Sequence, residues 1–392
     1  PRLFTFGAYP IYLTEGRGAR TKDLDGNVYL DFQGAFGPTI LGMAYPAVNA
    51  AMAKQLKKGQ LLSLLHPLQN DLAEVICELV PCAQRVRFFK TGSDATTGAI
   101  RLARAFTGRT KVASCHFHGW DDWCYVTDTK LNRGIPARAK EEIVEFAYND
   151  LPSLERIFAD HPGEIAAVIL EPVHLDAPHP GFLEGVKRLA AHHGAVLIFD
   201  EVVTGFRFAL GGGQEYFGVT PDLCCLAKAM GNGAPIAAVT GSAAIMDATQ
   251  DVVTSTTYAE DAVAFAAALA TLAEMQQKPV LEHIWRLGTL FQEGLRALAE
   301  RYGAPVACVG FPPRLELQFA DGLGWPRLAW KTAFLQASAD QGVLFGNAIF
   351  FSFSHTEAHV RRALRVVEAV FKAWQTAGKP PALRGALAEE LW

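Results

Sequence analysis

The chain has 392 residues, of which 50% are hydrophobic and 19% are charged, and its formal net charge is −4 at pH 7. This composition predicts a compact, two-domain enzyme with a large core, and it excludes a disordered or fibrous chain. Lysine and arginine are scattered, no apolar run approaches the roughly 20 residues that span a bilayer, and no signal peptide is visible, so we expect a cytoplasmic protein with no nucleic-acid or membrane partner.

The seven cysteines do not indicate a metal site or a disulfide framework. None forms a C-x-x-C pair, and none belongs to a His/Cys cluster with zinc-like spacing. An odd count is typical of a reduced, intracellular protein in which buried cysteines act as small apolar side chains. We therefore expect no bound metal.

The first 45 residues are predicted to form short strands and turns. Asp25-Gly26 lies inside an alternating run and predicts a hairpin. A glycine-rich crossing that contains Phe36 follows, and two helical patterns fill residues 46–81.

Residues 86–106 predict a strand, a glycine turn and a helix in succession. Gly92 and Ser93 stand where the helix begins, so free backbone amides and the helix dipole point at one spot, which is typical of an anion site. Gly92 would let the backbone approach an anion closely, and Ser93 adds a hydroxyl. A simple helix cap explains the same residues.

An aromatic and histidine cluster, Phe117-His118-Gly119-Trp120, comes next. Trp120 and the nearby Trp123 either line an apolar substrate pocket or are packed in the core. Residues 127–146 are polar and read as a loop.

Residues 150–240 alternate between helix patterns and strands that are apolar throughout, which predicts a parallel sheet covered on both faces. Glu171, Asp200 and Lys228 each fall at or just past the end of such a strand. Ligands bind beyond the carboxyl ends of the strands in sheets of this kind, so we expect the three side chains at one edge. Burial would lower the pKa of the Lys228 amine and make it nucleophilic.

A run of three glycines, residues 211–213, lies between two of these strands. It follows no clear strand and lacks G-x-G-x-x-G spacing, so a dinucleotide site is rejected, and with it a nicotinamide-linked dehydrogenase. We expect a flexible connection there.

Thr257 stands ahead of an alanine-rich helix, for which it is a possible N-cap. A long helix over about 279–302 leads into an α+β region with predicted strands at 313–319 and 350–353. A final amphipathic helix starts near Thr356.

Together these motifs resemble the class III, fold-type I, pyridoxal-phosphate aminotransferases, closest to the branch of glutamate-1-semialdehyde aminomutase. The resemblance covers almost the whole chain. It implies an α/β fold with a mostly parallel seven-stranded sheet in a large domain and a smaller α+β domain. The implied domains are an N-terminal segment, 1–45, that packs with the small domain, a large cofactor-binding domain, 46–277, and a C-terminal small domain, 278–392.

The resemblance also implies a role for each matching residue. Lys228 would hold pyridoxal 5'-phosphate as a Schiff base and then serve as general base and acid. Asp200 would keep the ring nitrogen protonated, and Glu171 would steer protons or shape the pocket. The other implied cofactor residues are Gly92 and Ser93 at the phosphate, Val202 and Phe117 on the two ring faces, His118 as a hydrogen-bonded neighbour, and Thr257, which would reach the partner's site in a homodimer.

On the substrate side, comparison with the family points to Asn347. Phe36 and Trp120 suggest an aromatic-lined substrate pocket, although core packing explains them equally well. Arg2 matches an arginine that holds a substrate carboxylate in some members, although a solvated chain end explains it as well. The implied activity is ping-pong transfer of an amino group between small amine and keto substrates. A 2,1-aminomutase or a racemase would use the same lysine and aspartate, and a non-enzymatic regulatory or scaffold role is a further alternative. Asn347 replaces a carboxylate of the aminomutase, and residues 127–146 are shorter and poorer in glycine, so both features favour transfer.

Overall fold

The computed structural model describes residues 12–124, 132–322, 324–377 and 383–387. The strands are β1 (Leu13–Arg17), β2 (Arg20–Asp23), β3 (Val28–Asp31), β4 (Arg85–Phe89), β5 (Lys111–Cys115), β6 (Ile143–Glu145), β7 (Ile165–Leu170), β8 (Val196–Glu201), β9 (Leu223–Leu226), β10 (Ala237–Gly241), β11 (Val306–Phe311), β12 (Arg314–Phe319), β13 (Val343–Leu344) and β14 (Ala348–Ile349). The helices are α1 (Pro46–Leu56), α2 (Pro67–Leu79), α3 (Gly92–Thr107), α4 (Ala137–Glu141), α5 (Leu151–Asp160), α6 (Phe182–His193), α7 (Gly213–Phe217), α8 (Ala243–Met246), α9 (Ala262–Gln277), α10 (Val280–Tyr302), α11 (Arg327–Asp340) and α12 (Glu357–Ala377).

The chain divides into two compact units. One is continuous, Ala47–Gln277, and the other combines the described parts of Pro1–Pro46 and Lys278–Trp392. Arg2 lies outside the described residues. None of the described helices is long and apolar enough to cross a membrane.

A seven-stranded sheet in the order β4-β10-β9-β8-β7-β5-β6 forms the centre of the continuous unit. The five strands from β9 to β6 are parallel, and β10 runs antiparallel to both β9 and β4. Every residue of β7, β8 and β9 is buried, because helices cover both faces of the sheet. The predicted α/β fold, with its largely parallel sheet, is confirmed.

Alternate residues of the central strands point into two separate cores. Ile169 and Ile198 pack in the core that includes the apolar face of α3. Their neighbours Val168 and Leu197 pack in the core that includes residues of α5 and α6. Packing against both faces of the sheet therefore fixes the positions of its strand ends.

The segment predicted as a loop, 127–146, contains α4 and β6. Strand β6 pairs in parallel with β5, from Val112 with Ile143 to Ser114 with Glu145, and it forms one edge of the large sheet. The loop prediction for this part is wrong because the strand has only three residues, Ile-Val-Glu, and two glutamates stand directly before it.

The three glycines 211–213 are buried and closely packed, so the expected flexible connection is wrong. Gly212 and Gly213 lie against the fully buried carboxylate of Glu201, which accepts hydrogen bonds from the amides of Gly213 and Gln214, from the Gln214 side chain and from Thr204. A Cβ on Gly212, which has a φ of +86°, would lie 2.2 Å from Glu201 Oε2. At position 212 only glycine leaves room for the Glu201 carboxylate, which binds the amides at the start of α7.

The second unit contains two small sheets and three long helices. Its sheets have the orders β1-β2-β3-β13 and β11-β12-β14. The predicted strand at 350–353 is wrong, because β14 ends at Ile349. Beyond it the backbone leaves the sheet: the Phe350 amide donates to the Phe32 carbonyl, and the Phe353 amide donates to the Ile40 carbonyl. Phe32 stacks on Phe291 and Phe345 in the core of this unit.

Replacing Gly212 by alanine should lower the free energy of unfolding by about 2–4 kcal/mol, since the new Cβ would displace the Glu201 carboxylate. Gly218 is the matched control, because its φ is +70° and a Cβ there would meet nothing within 4 Å. Gly218→Ala should cost only about 1–2 kcal/mol of backbone strain. Urea unfolding followed by circular dichroism measures both, and equal losses would contradict the packing of the glycine run.

Candidate active site

Three chemically important side chains follow neighbouring strands at one edge of the large sheet. Glu171 comes directly after β7, Asp200 lies near the end of β8, and Lys228 follows β9 by two residues. The parallel register pairs Leu170 with Phe199 and Asp200 with Cys225. The carboxyl ends of the three strands are thus level, and this is the edge at which sheets of this kind bind ligands.

A buried hydrogen bond joins Asp200 to His118. The distance from His118 Nδ1 to Asp200 Oδ2 is 2.8 Å, and the other carboxylate oxygen accepts from the Val202 amide at 3.1 Å. With the carboxylate oxygen as the acceptor, His118 Nδ1 is the donor of this hydrogen bond. His118 Nε2 is buried and has no hydrogen-bond partner among the described residues.

His118 is held in place through both its backbone and its ring. Its backbone amide donates to the Cys124 sulfur at 3.1 Å, and its carbonyl accepts from the Thr96 hydroxyl at 2.7 Å. Trp123 stacks parallel to the ring with centroids 6.5 Å apart and donates its Nε1 proton to Thr97. Trp123 is therefore buried and packed against His118. Burial raises the pKa of the Cys124 thiol to about 11, so this sulfur stays neutral beside Asp200.

The start of α3 forms a cradle for an anion. Thr91 and Asp94 close a capping box, in which the Asp94 amide donates to the Thr91 hydroxyl and the Thr91 amide donates to the Asp94 carboxylate. The first amide bonded along the helix is that of Ala95. The amides of Gly92 and Ser93 have no partner in the described parts of the chain, so both are available to an anion.

Close packing brings this cradle against β8 and the loop after β5. A Cβ on Gly92 would lie 2.9 Å from Val202 Cγ1. The Ser93 hydroxyl accepts from the Trp120 amide at 3.2 Å, and a Cβ on Gly119 would lie 2.5 Å from Ser93 Oγ. The helix start, Val202 and the loop from His118 to Trp120 therefore converge.

Lys228 has a left-handed backbone, with a φ of +40°, and begins a short 3₁₀ helix, Lys228–Gly231. A side chain other than glycine rarely adopts this region, and such residues cluster at functional sites. The next residues, Ala229 to Gly231, are buried, whereas Lys228 itself is half-buried. Its backbone is thus fixed by the packing of the residues that follow it, and the residue itself is only partly covered.

Glu171 is buried and lies 3.8 Å from His174, measured from Oε1 to Nε2. The His174 ring also contacts His116, with centroids 5.1 Å apart. Burial and the charge of Glu171 raise the pKa of Cys115 to about 12. This group lies at the same sheet edge, because Cys115 pairs with Leu170.

The other predicted site residues are placed as follows. Phe117 and Trp120 are exposed, at 42% and 80%. Thr257 is exposed in a turn and does not cap α9. Asp261 does so instead, with Oδ1 accepting from the amides of Val263 and Ala264. Phe36, with a φ of +67°, and Asn347, which is exposed, belong to the other unit, and Arg2 lies outside the described residues.

Sequence reasoning missed Glu201 and the ion pair between Lys90 and Asp261. A second carboxylate directly after Asp200, at the end of an apolar strand, was an available signal for Glu201. Nothing in the local pattern connects Lys90 with a residue far along the chain.

The family model for class-III aminotransferases matches residues 6–353. The chain is a class-III aminotransferase. It is 40% identical over 320 residues to a 3-aminobutyryl-CoA aminotransferase of Cloacimonas acidaminovorans, which covers 80% of this chain and 76% of the relative. It is 35% identical over 395 residues to a glutamate-1-semialdehyde 2,1-aminomutase of Desulforudis audaxviator, with coverage of 93% and 91%.

Solved structures give the same result for the fold. The FumI protein of Sphingopyxis sp. MTA144, in its pyridoxal-phosphate internal aldimine form, superposes with a TM-score of 0.89 at 30% identity, covering 97% of this chain and 93% of that one. An omega-transaminase from Sphaerobacter thermophilus has a TM-score of 0.85 at 27% identity, with coverage of 94% and 93%. This aminotransferase is thus a pyridoxal-phosphate enzyme of fold type I.

The residues at the sheet edge fit that cofactor. Its phosphate matches the two unpartnered amides at the start of α3 and the space that glycine leaves there. Its protonated ring nitrogen matches the buried Asp200 carboxylate, and its aldehyde matches the amine of Lys228. His118 Nε2, buried and unpartnered within the described structure, is a further polar atom that a bound molecule can satisfy.

In this aminotransferase, Gly92→Ala should weaken binding of pyridoxal phosphate by at least about tenfold, because the new Cβ collides with Val202 and displaces the cradle. Gly108→Ala is the matched control at the other end of α3, where φ is +68° and a Cβ would meet nothing within 4 Å. Equilibrium dialysis measures the cofactor affinity of both variants. Wild-type affinity in Gly92→Ala would show that the cradle does not hold the phosphate.

Proposed function

We propose that this aminotransferase moves an amino group from an amine or amino acid donor to a keto or aldehyde acceptor by a ping-pong mechanism. The observation that supports this most strongly is the buried pair of Asp200 and His118, one strand away from Lys228. Pyridoxal phosphate, when bound, supplies the electron sink that stabilises a carbanion at the substrate carbon. The protein must hold it, protonate it and move one proton.

Asp200 is proposed to hold a proton on the ring nitrogen of the cofactor. A carboxylate beside a ring nitrogen favours the charged ring, and low polarity around Asp200 strengthens this effect. His118 donates a hydrogen bond from Nδ1 to the same carboxylate, so it orients Asp200. His118 is therefore a positioning residue in this proposal.

Lys228 is proposed to have two successive tasks. Its amine would hold the cofactor covalently. Once free of the cofactor, Nζ would act as the general base that takes the proton from the substrate carbon and as the general acid that returns one. Glu171, one strand beyond Asp200, is proposed to steer protons near the site.

The remaining cofactor contacts are assigned by position. Gly92 and Ser93 bind the phosphate through their amides, with the hydroxyl of Ser93 adding a further contact. Val202 and Phe117 are proposed to enclose the ring from opposite faces. Substrate contacts through Arg2 and Asn347 rest on the family resemblance, and those through Phe36 and Trp120 rest on their aromatic side chains.

We further propose a cytoplasmic homodimer in which Thr257 reaches the cofactor phosphate of the second subunit. Thr257 lies in an exposed turn, as that role requires. The turn is joined to a segment rich in exposed leucines, because the Ala262 amide donates to the Gln60 carbonyl. Leu64 and Leu65 in that segment are 84% and 70% exposed, and a second copy would bury them. In the proposed domain organisation, 46–277 binds the cofactor, and 1–45 associates with 278–392.

Transfer is favoured over mutase chemistry by Asn347, which replaces a carboxylate of the aminomutase. The similarity to a 3-aminobutyryl-CoA aminotransferase makes donors with an amino group at the third carbon the first to test.

An amine donor alone should convert the bound cofactor to its aminated form and release one carbonyl product, because a transferase completes the first half without an acceptor. Adding a keto acid should restore the original absorbance spectrum. Stopped-flow absorbance with a panel of donors measures both steps, and Lys228→Ala should lose them by a factor of at least about 1,000. Isomerisation of glutamate-1-semialdehyde without release of a carbonyl product would establish the mutase instead.

A further inference from the structure

An ion pair connects the anion cradle to a loop distant in sequence. Lys90, directly after β4, contacts Asp261 at 3.0 Å, and both side chains are largely buried at 16% and 7% exposure. The same Asp261 oxygen accepts from Gln60 at 3.1 Å, while its other oxygen caps α9. The charge of Lys90 and the Gln60 hydrogen bond lower the pKa of Asp261 although burial opposes them, so the carboxylate stays ionised.

Two arginines, one on β4 and one on α3, hold the other end of this loop. Arg87 of β4 donates to the Thr254 carbonyl at 2.9 Å, and Arg101 of α3 donates to the Val253 carbonyl at 2.9 Å. Three cations from the segment that builds the cradle thus fasten both ends of the loop 253–261. In an aminotransferase, cations beside a phosphate cradle would be expected to bind the phosphate. Here Lys90, Arg87 and Arg101 contact the loop 253–261 instead.

The loop between these attachments is exposed. Residues 255–258 are exposed in the described part of the chain, and Tyr258 is 60% exposed. Thr257 lies within this tip. The tip is therefore attached at both ends, and its residues are exposed in the described structure of this chain.

We propose that Lys90 and Asp261 are positioning residues that act in trans: they set the cofactor affinity of the partner subunit by fixing the tip that carries Thr257. This inference rests on the proposed homodimer and on the proposed role of Thr257. A loop whose attachment is broken samples more conformations, so it loses entropy when it orders against the partner's phosphate. Cofactor binding is therefore weakened in the partner's site and not in the site of the subunit that carries the substitution.

Heterodimers with differently tagged subunits test this directly. One subunit carries Lys228→Ala, so it cannot hold the cofactor covalently, and the other retains Lys228. Asp261→Asn is placed either on the Lys228→Ala subunit, where its loop serves the working site, or on the subunit with Lys228. Asparagine keeps a cap for α9 and removes only the charge. The readout is the amount of cofactor fixed to Lys228 by borohydride at each cofactor concentration, counted by mass spectrometry.

We expect about tenfold weaker cofactor binding when Asp261→Asn is on the Lys228→Ala subunit, and wild-type binding in the opposite arrangement. Lys90→Met should repeat this pattern. Glu142→Gln is the matched control, since it breaks the 3.0 Å ion pair with Arg104 on the same α3 helix but away from the loop.

An effect confined to the subunit carrying Asp261→Asn, or no effect in either arrangement, would overturn the proposal. Light scattering and the donor half-reaction of the wild type are measured alongside. A monomeric wild type would refute the homodimer, and an inactive half-reaction would refute the transferase, so either failure is distinguishable from failure of the trans effect.

Discussion

The hydrogen bond between His118 and Asp200 is the interaction on which the account of this site depends. Two ionisable groups are buried together only when each satisfies the other, and here one proton lies between Nδ1 and the carboxylate. The bond joins the loop after β5 to strand β8 across β7. The bond also fixes the Asp200 carboxylate at the edge of the sheet where Lys228 and the start of α3 lie.

Small residues make this convergence possible. Gly92 lets α3 begin in contact with Val202, and Gly119 lets the loop cross Ser93 closely. Gly212 and Gly213 leave room for the neighbouring carboxylate, Glu201, which is buried on the opposite side of β8 from Asp200. The two adjacent acids therefore have different partners: Asp200 bonds to His118, and Glu201 anchors the chain between β8 and β9.

The sequence allowed much of the fold to be predicted, since apolar strands separated by helices leave few arrangements other than a covered parallel sheet. The placement of Glu171, Asp200 and Lys228 at strand ends followed from the same pattern. What failed depended on distant contacts. The glycine run is rigid because Glu201 fills the space beside it, the strand at 350–353 is replaced by bonds to residues 32 and 40, and the cap of α9 is Asp261, which also pairs with Lys90. No local pattern reports such partners.

The protonation state of the cofactor's ring nitrogen tests the central claim most directly. Nuclear magnetic resonance of enzyme loaded with cofactor isotopically labelled at that nitrogen reports it without any turnover. The account predicts a protonated nitrogen in the wild type at neutral pH and a neutral one in Asp200→Ala, with the cofactor still attached to Lys228. A neutral nitrogen in the wild type, or a protonated one in the variant, would contradict it.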